Sequence, residues 1–496
     1  MAQAISTFTR FYAQDSLTYN SGGAVIADGD SLVLILEFWD SATFQGFFFT
    51  KTDLSGNEAY RTMLKRNNTT YGAIYGGDAH RTGDGDFIIG TSEYQRNSDY
   101  DTGILIKLHN NLDIDYVRSF PDSNFSVLGS AEQLSDGGYL LAGQGGYVDT
   151  SGDVIEAFNA WMIKTDTAGN IIWQNEEVHS TYSSFYYTDA INGGFMIRLG
   201  VASTYGNGDS LDEVRKYDNQ GNLKWTVGFG VPGHDNLSGP MIATHDGGGI
   251  LVINALDTSA PNLGAITVPG VIYKFDSNGN IQWQKWIPLA NGSNNMNLTS
   301  LEQTRSWSII LVESLTDLPL GSTNNQHLGG AFLKLDKDGN TIWQNLFFGD
   351  SAENNYFYDV TEASDGGIVA IGQATNPATG QLSSWLVKVD SNGCMNGDCP
   401  TLYTGITDIS AEQGRFMVFP SPAGVQYTVA VTETAYMQQY HDLAFCLYDL
   451  TGRMVYQQPL TEQATTIARG DLPTGMYMWH ISDSGRNLSN GKIVMK

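Results

Sequence analysis

The chain has 496 residues, with 26 Lys plus Arg against 53 Asp plus Glu and a formal charge of −27. That length exceeds one ordinary core and suits a large repeat domain plus a smaller one. The acidic balance repels phosphate backbones and anionic membranes, which excludes nucleic acid as a partner class. With 56 Gly, 13 Pro and 11% aromatic residues, the composition points to many short strands and tight turns rather than a Pro-rich disordered chain.

The chain opens Met1-Ala2-Gln3 and runs straight into strand-like residues. This is the expected look of a mature exported chain whose leader has been replaced by a starting Met. No apolar run of roughly 18 residues occurs, so no transmembrane span is expected.

A phrase then recurs along the chain. Residues 164–175 read KTDTAGNIIWQN, 274–285 KFDSNGNIQWQK and 334–345 KLDKDGNTIWQN. Its Asp falls at Asp53, Asp166, Asp218, Asp276, Asp336 and Asp390, and a degenerate copy puts His109 in the Asp place and Tyr116 in the Trp place. The seven copies lie 52 to 60 residues apart. Upstream of each is a second landmark: a turn signal beginning at Asp28, Asp84, Asp136, Asn192, Asp246, Ser306 or Asp365, followed by an apolar run. A third strand, such as WMIKTD or WLVKVD, leads into the phrase. Its alternation reads as half-buried, and a fourth strand carries the Trp.

Four strands per repeat and seven repeats predict a seven-bladed β-propeller. The recurring phrase is then the turn between the third and fourth strands, with Asp accepting backbone N–H groups and Gly at φ > 0. Its Trp is expected to pack between blades. The seventh copy lacks its Trp strand. Residues 6–16, STFTRFYAQDS, align with 341–351, TIWQNLFFGDS, matching Phe8 to Trp343. The N-terminal strand is therefore expected to complete the last blade and leave no free sheet edge. The turn is similar to the repeat turns of sialidase Asp-box and quinoprotein propellers, over the turn only, and neither family's catalysis is carried over.

Cys394 and Cys399 flank four residues where the repeats stop. A disulfide is expected there in an oxidising compartment, with a reduced pair as the alternative. Cys446, in the run AFCLYDL, is assigned to core. The eight His are scattered without helical ligand spacing, so no metal site is expected. DSNGN at 276–280 and DKDGN at 336–340 look like calcium-loop fragments but lack the remaining ligands. No cofactor is assigned, and calcium stays the minor alternative to turn stabilisation. GFGVPG at 228–233 satisfies a Gly-x-Gly-x-x-Gly spacing but precedes no helix, which removes the nucleotide reading.

Propellers bind at one end of their channel, through the loops joining second to third strands and the loops between blades. The longest of the former are 145–159, 201–213, 255–270 and 315–330, in consecutive blades three to six. They offer Tyr147, Asp149, Asp153, Tyr205, Asp209, Asp212, Asp257, Asn324 and Asn325 as candidate ligand-binding residues, a mixture suited to a glycan or a peptide. No catalytic set is assigned.

After about residue 400 the rhythm changes. Residues 1–400 are assigned to the propeller, 401–414 to a linker and 415–496 to a small immunoglobulin-like β-sandwich. Val418, Pro420 and Pro422 come first; then Tyr448, Asp449, Leu450, Gly452 and Arg453; then Leu472, Gly475 and Tyr477; then Lys492, Val494 and Lys496. These four ordered blocks resemble the type A C-terminal sorting domain of the Bacteroidetes type IX secretion system, with Phe419 and Ser421 as departures from its opening block. The resemblance implies an extracellular or outer-cell-surface destination and the type IX machinery as partner. It also implies that the sorting domain is usually cleaved, the cargo being released or attached to surface lipopolysaccharide. The expectation for the whole is a monomeric, all-β, secreted or surface binding module for a glycan or protein. An extracellular enzyme, such as a glycoside hydrolase or lyase, and a structural surface component are the alternatives.

Overall fold

A computed structural model describes residues 5–12, 19–40, 44–66, 69–72, 74, 78–95, 101–120, 125–146, 159–177, 183–191, 193–201, 211–230, 235–257, 266–267, 270–287, 295–317, 326–348, 355–399, 416–419, 425–431, 443–449, 453–462, 464–470, 472–483 and 486–496. Among these residues every regular element is a strand. The chain divides into two units, Met1–Thr404 and Gly405–Lys496.

The first unit contains seven antiparallel sheets. Blade 1 is Tyr19–Asp28, Ser31–Asp40, Phe44–Asp53 and Glu58–Leu64. Blade 2 splits its inner strand into Thr69–Tyr71 and Ala79–Arg81, then runs Phe87–Gln95, Asp101–Leu108 and Ile114–Phe120. Blade 3 is Phe125–Gln133, Tyr139–Gly146, Asn159–Thr165 and Ile171–Glu177. Blade 4 is Ser183–Ile191, Gly194–Val201, Leu211–Asp218 and Leu223–Phe229. Blade 5 is Asp235–Ala243, Gly249–Asp257, Val271–Phe275 and Ile281–Trp286, with Ile266–Thr267 added beside its second strand. Blade 6 is Asn295–Gln303, Ile309–Asp317, Gln326–Leu335 and Thr341–Phe348. Blade 7 is Tyr356–Glu362, Ile368–Thr375 and Leu382–Val389, and its fourth strand is Phe8–Tyr12. That strand pairs antiparallel with the third, Phe8 opposite Lys388 and Tyr12 opposite Ser384. Each sheet packs on the next and the seventh returns to the first. This is a seven-bladed β-propeller.

The core is divided among the blade interfaces. Between blades 7 and 1 it holds Val25, Leu34, Val369, Ile371 and Leu386, capped by Phe8 and Tyr12. Corresponding clusters lie at the other six interfaces. The third strands are not half-buried as their alternation predicts. Asn159–Thr165 is buried throughout, because blades cover both of its faces. The alternating polar residue is instead a lysine with internal partners.

That lysine stands two residues before the turn residue in every blade: Lys51, Lys107, Lys164, Lys216, Lys274, Lys334 and Lys388. Lys388 is fully buried; its Nζ reaches Asp365 Oδ2 at 2.6 Å in its own blade and the Leu54 carbonyl at 2.8 Å in blade 1. Lys51 pairs with Asp28 at 2.7 Å, and Lys274 with Asp246 at 2.9 Å. Lys164 pairs with Asp136 and donates to the Asn219 carbonyl of blade 4 at 2.8 Å. Lys216 and Lys334 donate to the Ser277 and Ser391 carbonyls of the following blades at 2.9 and 2.8 Å. Buried cations persist only when paired and hydrogen-bonded, and here the pairing joins neighbouring blades.

The recurring phrase closes a turn. In blade 5, Asp276 Oδ1 accepts the N–H groups of Asn278 and Asn280 at 2.8 and 2.9 Å, while Oδ2 accepts the Asn280 side chain at 3.0 Å. Asp53, Asp166, Asp218 and Asp336 repeat the pattern. Gly279, at φ +85°, lies under the ring of Trp225 from blade 4, 3.2 Å from where a Cβ would stand. Gly339 lies under Trp283, Gly221 under Trp173 and Gly169 under Tyr116 in the same way. At the seam Phe8 covers Gly56, which is the role its alignment with Trp343 predicts. A disulfide joins Cys394 and Cys399. Within the loop it closes, Asn396 N–H donates to Thr7 Oγ1 at 3.0 Å, tying the last turn to the first strand.

The second unit has two sheets. One joins Phe416–Phe419, Gln426–Val431 and Ala464–Ala468; the other joins Leu443–Tyr448, Met454–Pro459, Gly475–Asp483 and Arg486–Met495. Tyr427 and Ile467 from the first meet Phe445, Trp479, Ile481 and Ile493 from the second in one core, making a β-sandwich. Cys446 is buried, as expected. The expected linker, 401–414, lies outside the described residues.

Candidate ligand-binding site

In each blade the first-to-second and third-to-fourth turns share one end of the sheet, here the turn end. The second-to-third connections leave from the other, the loop end. Blades 3 to 6 carry the long loop-end connections, after Gly146, Val201, Asp257 and Asp317, whereas blade 1 has only residues 41–43 there. Tyr147, Asp149, Asp153, Tyr205, Asp209, Asn324 and Asn325 lie outside the described residues. Asp257 ends the second strand of blade 5, opposite Ile266. Asp212 lies inside blade 4, 2% exposed, with Oδ2 2.6 Å from Nη2 of the fully buried Arg198. Its carboxylate serves that ion pair and is not offered to a ligand.

The channel between the first strands carries polar residues that the sequence pattern did not single out. At the register opposite each lysine-facing residue stand Ile26, His80, Glu132, Asp189, Ile242, Glu302 and Thr361. Their carboxylates reach the neighbouring blade. His80 Nδ1 lies 3.0 Å from Glu132 Oε2. Asp189 Oδ2 accepts the Ala243 N–H of blade 5 at 2.5 Å. Glu302 accepts the Glu362 N–H of blade 7 at 3.1 Å. Two residues nearer the loop end on the blade 7 strand, Asp359 takes the Val25 N–H at 2.9 Å and the Ser300 hydroxyl at 2.8 Å. Enclosure by the channel wall raises the Asp189 carboxyl, helped by repulsion from Glu132, and pushes Glu302 up to about 7. A side chain in a narrow channel touches water on one side yet is surrounded by protein, so its charged form is disfavoured. Among the described residues no group of three or more His, Cys, Asp or Glu side chains has metal-binding geometry.

At the turn end a cavity of about 570 Å³ is lined by Gly83, Asp84, Gln133, Leu134, Ser135, Gly137, Ala190 and Ile191, from blades 2, 3 and 4. Gln133 spans its wall, accepting the Gly83 N–H and donating to the Gly137 carbonyl at 3.1 Å. The Thr82 hydroxyl, which donates to Asp84, holds that carboxyl below the ordinary carboxylate range. The wall is thus hydrogen-bonded, acidic and open.

In the second unit, the Asp449 carboxylate accepts the Arg453 N–H at 3.1 Å and its Nε–H at 3.0 Å, clamping the turn before Met454–Pro459. Gly475 opens the strand whose Tyr477 donates its hydroxyl to the Pro473 carbonyl at 2.9 Å. Lys492 lies on the last strand opposite Met478, while Pro420, Pro422 and Gly452 lie outside the described residues. Residues 417–496 match the family model described as the secretion system C-terminal sorting domain. The second unit is a type IX secretion system sorting domain. The chain is therefore a cargo of that export route, with a cell-surface or extracellular destination. No helix of the described residues is long and apolar enough to cross a membrane.

No curated protein sequence matches the chain. Among solved structures it is similar to an ulvan lyase of a polysaccharide lyase family, at 11% identity and a TM-score of 0.45, over 76% of this chain and 96% of that one. It is also similar to the Pyrococcus horikoshii acylaminoacyl peptidase, at 9% identity and a TM-score of 0.44, over 84% and 58%. A third is the Penicillium chrysogenum alpha-L-arabinanase, at 11% identity and a TM-score of 0.40, over 63% and 92%. Likeness this distant assigns no activity to this chain.

Proposed function

We propose that the propeller is a secreted or cell-surface binding module, delivered by its sorting domain, that recognises an extracellular glycan or protein through the loop end of blades 3 to 6. The observation that carries this reading is the grouping of the long second-to-third connections on four consecutive sheets, at the end opposite the structural turns. Rigid strands with variable connections are the usual arrangement for recognition. The acids of the channel favour binding over hydrolysis. Oxygens of Asp189, Glu302 and Asp359 accept N–H or O–H groups of neighbouring blades, so they hold the ring together instead of facing a substrate.

The test is binding of the full chain to a glycan array and to proteins of the native cell surface, with and without calcium, beside a variant with 202–210 shortened. Selective binding lost on shortening supports the reading. Steady release of product from a bound polysaccharide would transfer support to the enzymatic alternative.

A further inference from the structure

The first-to-second turn of blade 6 breaks the repeat. In blades 2, 3, 5 and 7 the residue closing this turn is Gly85, Gly137, Gly247 or Gly366, at φ +93°, +88°, +79° and +84°. Each donates its N–H back to the residue three before it, at 2.8 to 2.9 Å. Blade 6 makes the same bond, from Trp307 to the Thr304 carbonyl at 2.9 Å, with φ +67°. A bulky residue in the left-handed region is an outlier; Leu112, at the same φ of +67°, is fully buried in the core, whereas Trp307 is not. A Cβ at Gly137 or Gly366 would meet nothing within 4 Å, so a side chain at this position stands away from the blade. Trp307 does so and is 44% exposed.

The indole is half-exposed, and the turn that carries it is tied to its neighbours by polar contacts. The exposed His245 ring of the blade 5 turn meets it edge-on, with centroids 5.3 Å apart and planes at 89°. The two turns are tied by the His245 N–H, which donates to Gln303 Oε1 at 2.8 Å. Arg305, next to Ser306, is held by Glu362 at 3.0 Å and the Ser364 carbonyl at 3.2 Å. Thr304 and Ser306 hydroxyls pair at 3.0 Å. Here a single exposed flat ring stands beside an imidazole, matching a pyranose, whose apolar C–H face stacks on an aromatic ring while its hydroxyl edge takes hydrogen bonds.

We infer that Trp307 and His245 form a second carbohydrate-binding site, at the turn end of the propeller, with the indole as stacking platform for a hexopyranose unit of an extracellular polysaccharide. It is separate from the loop-end site and does not depend on it. The repeat's own Gly supplies the test. Trp307→Gly restores the residue four other blades use, so its unfolding midpoint is unchanged or higher while the platform is gone. The full chain is run in affinity electrophoresis through gels containing a soluble β-glucan, a xylan or a mannan. The wild type is retarded by at least one polysaccharide, Trp307→Gly binds it about tenfold more weakly, and Trp307→Tyr keeps most of the retardation. A wild type retarded by none of the three overturns the inference. So does equal retardation of Trp307→Gly; if that retardation disappears when 202–210 is shortened, the loop-end reading stands alone.

Discussion

Glu313 lies in the second strand of blade 6, fully buried, with neither carboxylate oxygen hydrogen-bonded among the described residues. Burial alone pushes its pKa from 4.5 to about 8. The folded chain therefore keeps a proton that the unfolded chain releases above pH 4.5. Stability from this group is fully present below that pH and is lost as pH rises towards 8. Glu313→Gln copies the protonated carboxyl and removes the titration. The variant should match the wild type at pH 4.5, gain about 3 kcal/mol at pH 7 and about 5 kcal/mol above pH 8. For the unit Met1–Thr404, an unfolding entropy of about 2 cal/mol/K per residue makes these Tm rises of about 4 and 6 °C. Calorimetric melts of both full-length proteins from pH 4.5 to 8.5 read the difference. A gap that stays constant across the series, or a variant that melts lower at pH 8, would show that Glu313 has a charged partner and refute the reasoning.

Three further outcomes follow from the seam, the lysines and the tail. Phe8→Ala removes the ring that covers Gly56 and should cost about 3 kcal/mol, read as earlier unfolding in urea; an unchanged midpoint would mean the seam is held elsewhere. Lys388→Met strands Asp365 and the Leu54 carbonyl and should cost about 3 kcal/mol, whereas Lys337→Met, at an exposed cation paired with Asp338, should leave the unfolding midpoint essentially unchanged. Serine at Cys394 and Cys399 should cost about 2 kcal/mol by opening a short loop and increase proteolysis at the N-terminal strand, with no effect on the sandwich.

The site was less legible than the fold. Lysine stands two residues before the turn residue in all seven copies, yet alternation alone reads its strand as half-buried. Only blades packed on both sides turn that position inward. Asp212 looked like a loop carboxylate because sequence does not mark where the third strand of blade 4 begins; Arg198, on the neighbouring strand, decides its role. His80, Glu132, Asp189 and Glu302 are scattered along the chain and become one ring only when the sheets close. Trp307 stands where blades 2, 3, 5 and 7 have Gly, but its left-handed backbone and its contact with His245 are not visible in the sequence.

The sequence by itself determined the repeat, its count, the turn chemistry and the sorting motif, because each is local. A turn needs Asp and Gly at fixed offsets, and a strand needs an apolar run of a certain length. The tertiary structure decided which lysines are internal, which acids have raised pKa values and which turn aromatic stands exposed. Those properties depend on what lies across a blade interface, and residues that face each other there are separated by a full repeat or, at the seam, by almost the whole ring.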